Sequence, residues 1–253
     1  MRILIVAAHP DDETIGASAL LGPPHEVVVL HATDGASRDP RWWPAEFPDR
    51  GAYARVRALE AERALAIGGA ERVALAIADQ EAVHAVPQIA RAVAGEIARR
   101  APDVIVTHAY EGGHPDHDAV AVAVAIACRR ARRAPRVHEM ALYHGAPGHV
   151  ASGHVAPGAF VAGEFIADRT SICHVLDPEQ QRRRRAMLDC FASQRTTLAP
   201  FLALGHERFR PAPRYDFSRP PHDGLLLYER MGFAMTGMEW RALASAHGEV
   251  SYM

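Results

Sequence analysis

Two short segments of the sequence concentrate side chains that bind metals or move protons. They are His9-Pro10-Asp11-Asp12-Glu13 and His114-Pro115-Asp116-His117-Asp118. Neighbouring carboxylates raise one another's pKa and resist joint ionisation unless a cation lies among them. Acidic residues are also common in the first turn of a helix, but this alternative does not explain three histidines in two such segments. The segments therefore predict a metal centre, provided that the fold brings them together.

The pattern of apolar runs predicts that the fold does so. Apolar runs of strand length alternate with longer helical stretches, which is typical of parallel β-α-β units. We predict an α/β fold with a Rossmann-like, mostly parallel sheet of strand order 3-2-1-4-5, flanked by helices. Ligands bind such sheets where the order reverses, at the carboxyl ends of strands 1 and 4. The two polar segments follow those two strands and should share one crevice.

The predicted elements are as follows. Strands are expected at 3–8, 26–32, 73–77, 104–108 and 137–143, with a last strand at 225–228. Helices are expected at 14–21, 51–67, 86–100, 117–133, 179–193 and 239–246. We predict one domain over residues 1–253, with a core at 1–143 and a C-terminal extension at 144–253 that packs on it.

A metal held by two histidines and one aspartate keeps a fourth position open for water, as catalytic zinc sites do. His9 and Asp12 are three residues apart across a strand-to-helix turn, and His117 comes from the start of the next long helix. We therefore predict His9, Asp12 and His117 as the metal ligands. No further cofactor is expected.

Asp11 and His114 then remain beside the ligands, and amide hydrolysis needs two such groups. One group takes a proton from the attacking water, and the other supports the oxyanion and gives a proton to the departing amine. Asp11 suits the first role. His114, held protonated by Asp116, suits the second.

Other function classes fit less well. Strand 1 is followed by Gly16 alone, without the G-x-G-x-x-G of a dinucleotide site, and its carboxylates would repel a pyrophosphate. The G-x-S-x-G segment of a serine hydrolase is missing from the sequence. A formal net charge of -2 gives no general attraction to nucleic acid.

The sequence also indicates where in the cell the protein is located. The N-terminus has no signal-peptide pattern, and no stretch approaches the roughly 20 apolar residues of a membrane span. Cys128, Cys173 and Cys190 form an odd set without a close pair, which favours buried, reduced thiols. We predict a cytoplasmic protein with no membrane span. A homo-oligomer is compatible with the sequence.

The two segments resemble the signatures of a known family. Ala8-His9-Pro10-Asp11-Asp12-Glu13 and His114-Pro115-Asp116-His117 are similar to those of the LmbE-like, or PIG-L, zinc N-deacetylases. The resemblance implies a Rossmann-like sheet and hydrolysis of an N-acetyl group, usually from an N-acetylglucosamine moiety. It also implies the same metal ligands, Asp11 as general base, and His114 as electrostatic catalyst or acid oriented by Asp116.

Weaker similarities lie elsewhere in the chain. They are Thr33-Asp34-Gly35, the R-x-x-E spacing of Arg57 and Glu60, Asp79, and Ser193-Gln194. The resemblance implies Arg57 as a substrate-binding residue, although an exposed helix charge is equally expected there. Asp79 is a second candidate for substrate, against the alternative of a helix cap. Many relatives carry paired glycines after the first signature, where this chain has Ala17-Ser18.

The function expected from these observations is zinc-dependent deacetylation of a small-molecule amino-sugar conjugate. Iron(II) would also suit ligands of histidine and carboxylate. Two alternatives stay open, a metal amidase that acts on a non-sugar acyl amide and a carbohydrate-binding module without turnover. The presence of Asp11 and His114 argues against the second, since binding alone needs neither residue.

Overall fold

The computed structural model describes residues 1–145, 160–166 and 170–247. Its strands are β1 (Arg2–Ala7), β2 (Glu26–Ser37), β3 (Glu71–Asp79), β4 (Val104–His108), β5 (Arg136–Met140), β6 (Tyr143–Gly145), β7 (Phe160–Ala162), β8 (Ile172–Val175) and β9 (His206–Pro211). Its α-helices are α1 (Asp12–Gly16), α2 (Arg50–Gly68), α3 (Val86–Arg100), α4 (Pro115–Arg130), α5 (Pro178–Leu188), α6 (Arg195–Leu198), α7 (Leu227–Arg230) and α8 (Gly237–Ala246). Short 3₁₀ turns lie at Ser18–Leu20, Pro40–Trp42, Ala82–Ala85, Ala192–Gln194 and Ala199–Phe201.

A seven-stranded sheet has the order β3-β2-β1-β4-β5-β9-β8. The pairs among β1 to β5 are parallel, whereas β9 is antiparallel to both β5 and β8. The predicted order 3-2-1-4-5 is therefore confirmed. Strands β6 and β7 form a separate antiparallel pair.

Both faces of the sheet are covered, as the unbroken apolar runs of β1 and β4 require. Successive side chains of a strand point to opposite faces. Leu4 and Val6 pack into one cluster with residues of α3 and α4, and Ile3 and Ile5 pack into another with residues of α2 and α5. Burial of these runs on two faces leaves only the strand ends open to ligands.

Helix α4 positions the second polar segment. His114 is its N-cap, with its ring nitrogen accepting from the Asp116 amide at 3.2 Å, and Pro115 occupies the first turn. Proline suits that turn because its missing N–H would have no partner there. The helix is buried along nearly its whole length, so its start is fixed against the strand ends.

One predicted strand is wrong, and one observed strand was not predicted. Residues 225–228 are not a strand, because Glu229 accepts from the Leu226 amide at 2.7 Å and starts the short helix α7. Strand β9 occupies the sheet instead. Its sequence HERFRP has no apolar run, and its buried side chains Glu207 and Arg210 are charged. A strand with buried charges escapes a search for apolar alternation.

Several boundaries also shift. Helix α4 ends at Arg130 and α5 at Leu188, earlier than predicted, and the predicted fifth strand divides into β5 and β6. The three cysteines are unpaired, but only Cys128 is buried, and Cys173 is exposed on β8. Among the described residues, no helix is both long enough and apolar enough to cross a membrane.

Glu207 ties β9 to the turn after α1. Its buried carboxylate accepts from the Ser18 amide at 2.8 Å, the Ser18 hydroxyl at 2.5 Å and the Ala19 amide at 3.0 Å. We expect Glu207→Ala to lower the free energy of unfolding by about 2–4 kcal/mol, because it leaves buried donors without an acceptor. Urea denaturation measures this change. Glu26→Ala, at an exposed position, should stay within about 0.5 kcal/mol of the parent; equal losses in both variants would contradict the proposed tie.

Candidate active site

A cavity of about 360 Å³ opens at the carboxyl ends of the parallel strands. The loop after β1 contributes His9, Asp11 and Asp12, the end of β3 contributes Asp79, and the start of α4 contributes His114. His117 and Asp116 lie buried beside these residues. The structure therefore brings both polar segments to one place.

Asp12 is surrounded by imidazoles. One carboxylate oxygen lies 3.3 Å from His117 Nε2, and the other lies 3.4 Å from His9 Nδ1 and 3.3 Å from His108 Nε2. The second oxygen also accepts from the His9 amide at 2.7 Å. Despite burial, these imidazoles hold the pKa of Asp12 well below its ordinary value. Asp12 is thus an ionised carboxylate in close contact with three imidazole rings.

The donor atoms group in three ways within the described residues. Ligand atoms lie within 4.8 Å of one another in the sets His9, His114, His117; His9, Asp79, His114, Asp116; and Asp12, His108, His117. The predicted set His9, Asp12, His117 is not one of these, but it shares two members with the first and two with the third. Within the predicted set, Asp12 contacts both histidines.

The histidines of these sets differ in availability. His108 Nε2 accepts from the Ala8 amide at 2.8 Å, and its ring stacks on that of His117 with centroids 4.0 Å apart. That nitrogen is therefore engaged in holding β1 to β4. Among the described residues, none makes a hydrogen bond with the buried His117 Nε2, although Asp12 Oδ1 lies 3.3 Å away, and burial lowers the pKa of His117 to about 4. A neutral imidazole with a free ring nitrogen is a metal donor.

His9 lies among carboxylates. Its Nε2 is 3.0 Å from Asp79 and 3.2 Å from Asp116. Burial lowers the pKa of His9, but Asp12, Asp116 and Asp79 outweigh it and raise that pKa well above its ordinary value. The surrounding carboxylates thus stabilise positive charge at this position, as a cation site does. The unpartnered His117 nitrogen and this local field both fit a divalent metal.

Asp11 has a strained backbone and two fixed partners. Its φ of 134° lies in the region that favours glycine. Arg57 Nη2 donates to its carboxylate at 2.9 Å, and the buried Glu13 carboxylate accepts from its amide at 3.3 Å. Burial raises the pKa of Asp11 to about 7, although Arg57 opposes this shift. Asp11 is therefore held beside the donors without being one of them.

Glu13 is itself braced from the sheet. His31 Nε2 lies 2.9 Å from its carboxylate, and Arg72 Nε donates to His31 Nδ1 at 3.2 Å. His31 thus acts through Glu13 on the backbone of Asp11. The side chains of His31 and Glu13 are both fully buried.

His114 contacts Asp116 through the backbone and not through its carboxylate. The Asp116 carboxylate instead accepts from the Gln80 amide at 2.6 Å and the Ala82 amide at 3.0 Å. Since His114 Nδ1 is the acceptor for the Asp116 amide, the ring's other nitrogen, Nε2, faces Asp79 at 3.7 Å. Burial lowers the pKa of His114 well below its ordinary value. The neutral ring therefore offers an N–H on the side of Asp79.

The weaker sequence similarities lie around the same cavity. The Glu60 carboxylate accepts from the Ser193 amide at 2.8 Å and hydroxyl at 2.6 Å, and Gln194 beside it contacts Tyr53. Arg57, Gln194 and Tyr53 line the cavity. A Cβ at Gly35 would lie 2.8 Å from Arg57 Nε, and the φ there is +67°, so glycine alone lets the guanidinium pass.

Sequence reasoning missed most of the remaining lining. Five further aromatic residues line the cavity: Trp42, which follows β2, and Tyr143, Phe160, Phe201 and Phe233. The Trp42 and Phe233 rings lie 4.2 Å apart. Isolated aromatics in the C-terminal half have no motif or period that marks them.

Comparison with known proteins finds one similar family and several structures of similar fold. The family model described as PIG-L, GlcNAc-PI de-N-acetylase, matches residues 4–128. Residues 4–128 are therefore similar in sequence to PIG-L proteins. This range contains every predicted site residue, from His9 to His117 and including Arg57 and Asp79. No curated protein gives a significant match to the chain.

Solved structures of PIG-L-like fold are also similar. A deacetylase of the teicoplanin biosynthesis pathway has a TM-score of 0.63 and 18% identity, over 85% of this chain and 99% of that one. The N,N'-diacetylchitobiose deacetylase from Pyrococcus horikoshii has 0.52 and 17%, over 84% of each chain. The 4-carboxy-2-hydroxymuconate hydratase from Pseudomonas putida has 0.57 and 16%, over 85% and 97%. At these identities the likeness shows the fold.

His117 offers a direct test of the donor cluster. We expect His117→Ala to weaken binding of a divalent metal by more than about 100-fold, because losing a ligand should exceed the 10–100-fold effect of losing an outer partner. Competition with a chromogenic chelator measures the affinity. His84→Ala removes an exposed imidazole outside the cluster and should bind metal like the parent. Unchanged affinity in His117→Ala would exclude His117 as a ligand.

Proposed function

We propose that this chain is a PIG-L-type, metal-dependent hydrolase that removes the N-acetyl group of a small amino-sugar conjugate. One observation carries the proposal. Asp11 is not a member of any of the three groups of possible metal ligands. Arg57 and Glu13 nevertheless hold it next to Asp12, where it lines the cavity. A binding module would not need a base in this position.

His9, Asp12 and His117 are the residues that we propose as metal ligands. Zinc, or iron(II), bound there would lower the pKa of water and polarise the amide carbonyl. Asp12 contacts both histidines at 3.3–3.4 Å. This is about the separation of ligands that hold one tetrahedral ion at about 2.1 Å. His9 Nδ1 faces Asp12, so binding of a metal through Nδ1 would leave the contacts of Nε2 with Asp79 and Asp116 in place. Binding through Nε2 would break them.

Asp11 is the proposed general base. It takes a proton from water as the water oxygen bonds to the amide carbonyl carbon, and the ion pair with Arg57 keeps its carboxylate in one orientation. The carbon–nitrogen bond then breaks, the proton passes to the leaving nitrogen, and the products are acetate and the free amine. The strained backbone of Asp11 is the kind of feature that persists where function requires it.

His114 is proposed to support the oxyanion and the leaving nitrogen with its Nε2–H. The Asp79 carboxylate lies 3.7 Å from His114 Nε2, beyond hydrogen-bond distance, so we propose that this N–H is available to the substrate. Asp116 fixes the ring from the other side through its backbone amide. Arg57 lines the cavity, and its Nε and Nη1 form no hydrogen bonds with the described residues, so Arg57 is the proposed contact to polar substrate groups.

The hydratase of the same fold shows why the reaction must be tested. We expect the metal-loaded chain to release acetate from at least one of a broad set of N-acetylated amino sugars, measured by an enzymatic acetate assay. Release of acids only from non-sugar amides would favour the amidase alternative. Tight sugar binding with no acid released from any amide would favour the binding module.

Asp11 and Asp12 are adjacent in sequence, but substitutions should distinguish their roles. We expect Asp12→Asn to weaken metal binding, because it removes a charged ligand. Asp11→Asn should bind metal nearly as well as the parent but lower kcat by about 100-fold or more, the usual scale for a lost general base. Metal affinity and acetate release measured on both variants decide the matter. The opposite pattern, with metal lost only from Asp11→Asn, would exchange the two roles.

A further inference from the structure

One wall of the cavity is apolar and begins next to the metal donors. Tyr143 of β6, Phe160 of β7 and Phe201 form a triangle with ring centroids 5.8–5.9 Å apart. The Tyr143 ring lies 5.2 Å from that of His117. Leu198 and Ile15, both buried, line the cavity with them. The methyl group of an acetyl could cover only a small part of this wall.

The aromatic residues of the wall and the chemical groups come from different parts of the chain. The charged and imidazole side chains of the cavity lie within residues 4–128, which the family model matches: His9, Asp11, Asp12, Arg57, Asp79 and His114. Tyr143, Phe160, Leu198 and Phe201 all lie beyond that range. A family can keep its reaction and change its substrate when binding walls come from a separate part of the chain. The aromatic wall is therefore a feature through which this chain can select its own substrate.

We infer that this wall is an apolar subsite and that the substrate amide carries an apolar group that packs on Tyr143, Phe160 and Phe201. The group is either an aliphatic or aromatic aglycone, or a longer acyl chain that takes the place of acetyl in the proposed reaction. This inference rests on the proposed function for the position of the amide. The cavity of about 360 Å³ lies in the range of about 300–1,000 Å³ for small-molecule sites.

Apolar contact of this kind has a measurable size. Each methylene that is fully buried strengthens binding by about fourfold, and aromatic rings stacked on one another add to this. A phenyl or hexanoyl group that packs on the triangle should therefore gain at least about tenfold over a methyl or acetyl group. A polar wall would give no such gradient.

Binding of reaction products tests the subsite without relying on turnover. Calorimetry on the metal-loaded chain compares methyl with phenyl glucosaminide, which tests the aglycone, and acetate with hexanoate, which tests the acyl chain. We expect the apolar member of one pair to bind at least about tenfold more tightly. Phe201→Ala and Phe160→Ala should each reduce that ratio by about fivefold or more. Two variants are used because Phe201 is buried and its loss could disturb folding.

Leu202→Ala is the matched control, since Leu202 neighbours Phe201 but is exposed and does not line the cavity. It should keep the ratio of the parent. Equal binding within both pairs, or a ratio unchanged in both phenylalanine variants, would overturn the inference. Tighter binding of the apolar product supports the subsite even if no amide is hydrolysed, an outcome that would count against the proposed hydrolysis alone.

Discussion

The burial of four carboxylates in one cluster is the constraint on which this site depends. Asp11, Asp12, Asp79 and Asp116 all lie among buried or half-buried groups, where an uncompensated charge is costly. Each has a different compensation. Arg57 pairs with Asp11, imidazoles surround Asp12, backbone amides serve Asp116, and His9 bridges to Asp79. A divalent cation fits this arrangement because it neutralises several of these charges at once.

The fold supplies that compensation through its topology. Strands β1 and β4 end side by side, so the first turn after β1 meets the start of α4. Arg57 reaches the cluster from α2 on the other face, past Gly35. The antiparallel strand β9 then fixes the turn after α1 through Glu207. Positions far apart in sequence thus restrain a few atoms of the site.

The sheet order and the meeting of the two polar segments were predictable because apolar runs, helix caps and motif spacing are local signals. The contact between Arg57 and Asp11 was not predictable, since the sequence pattern of a charged residue in a helix does not show whether its side chain is buried or exposed. The orientation of His114 toward Asp79 depends on which groups already occupy Asp116. Strand β9 and the aromatic wall were missed because buried charges and scattered aromatics follow no period.

The position of the bound metal tests the account most directly. A crystal structure of the metal-loaded protein, with anomalous scattering recorded at the absorption edge of the metal, locates the ion against the carboxylates. The account predicts one ion with His9, Asp12 and His117 at about 2.0–2.2 Å and Asp11 outside the coordination shell. An ion held instead by Asp79 and Asp116, or directly by Asp11, would contradict it.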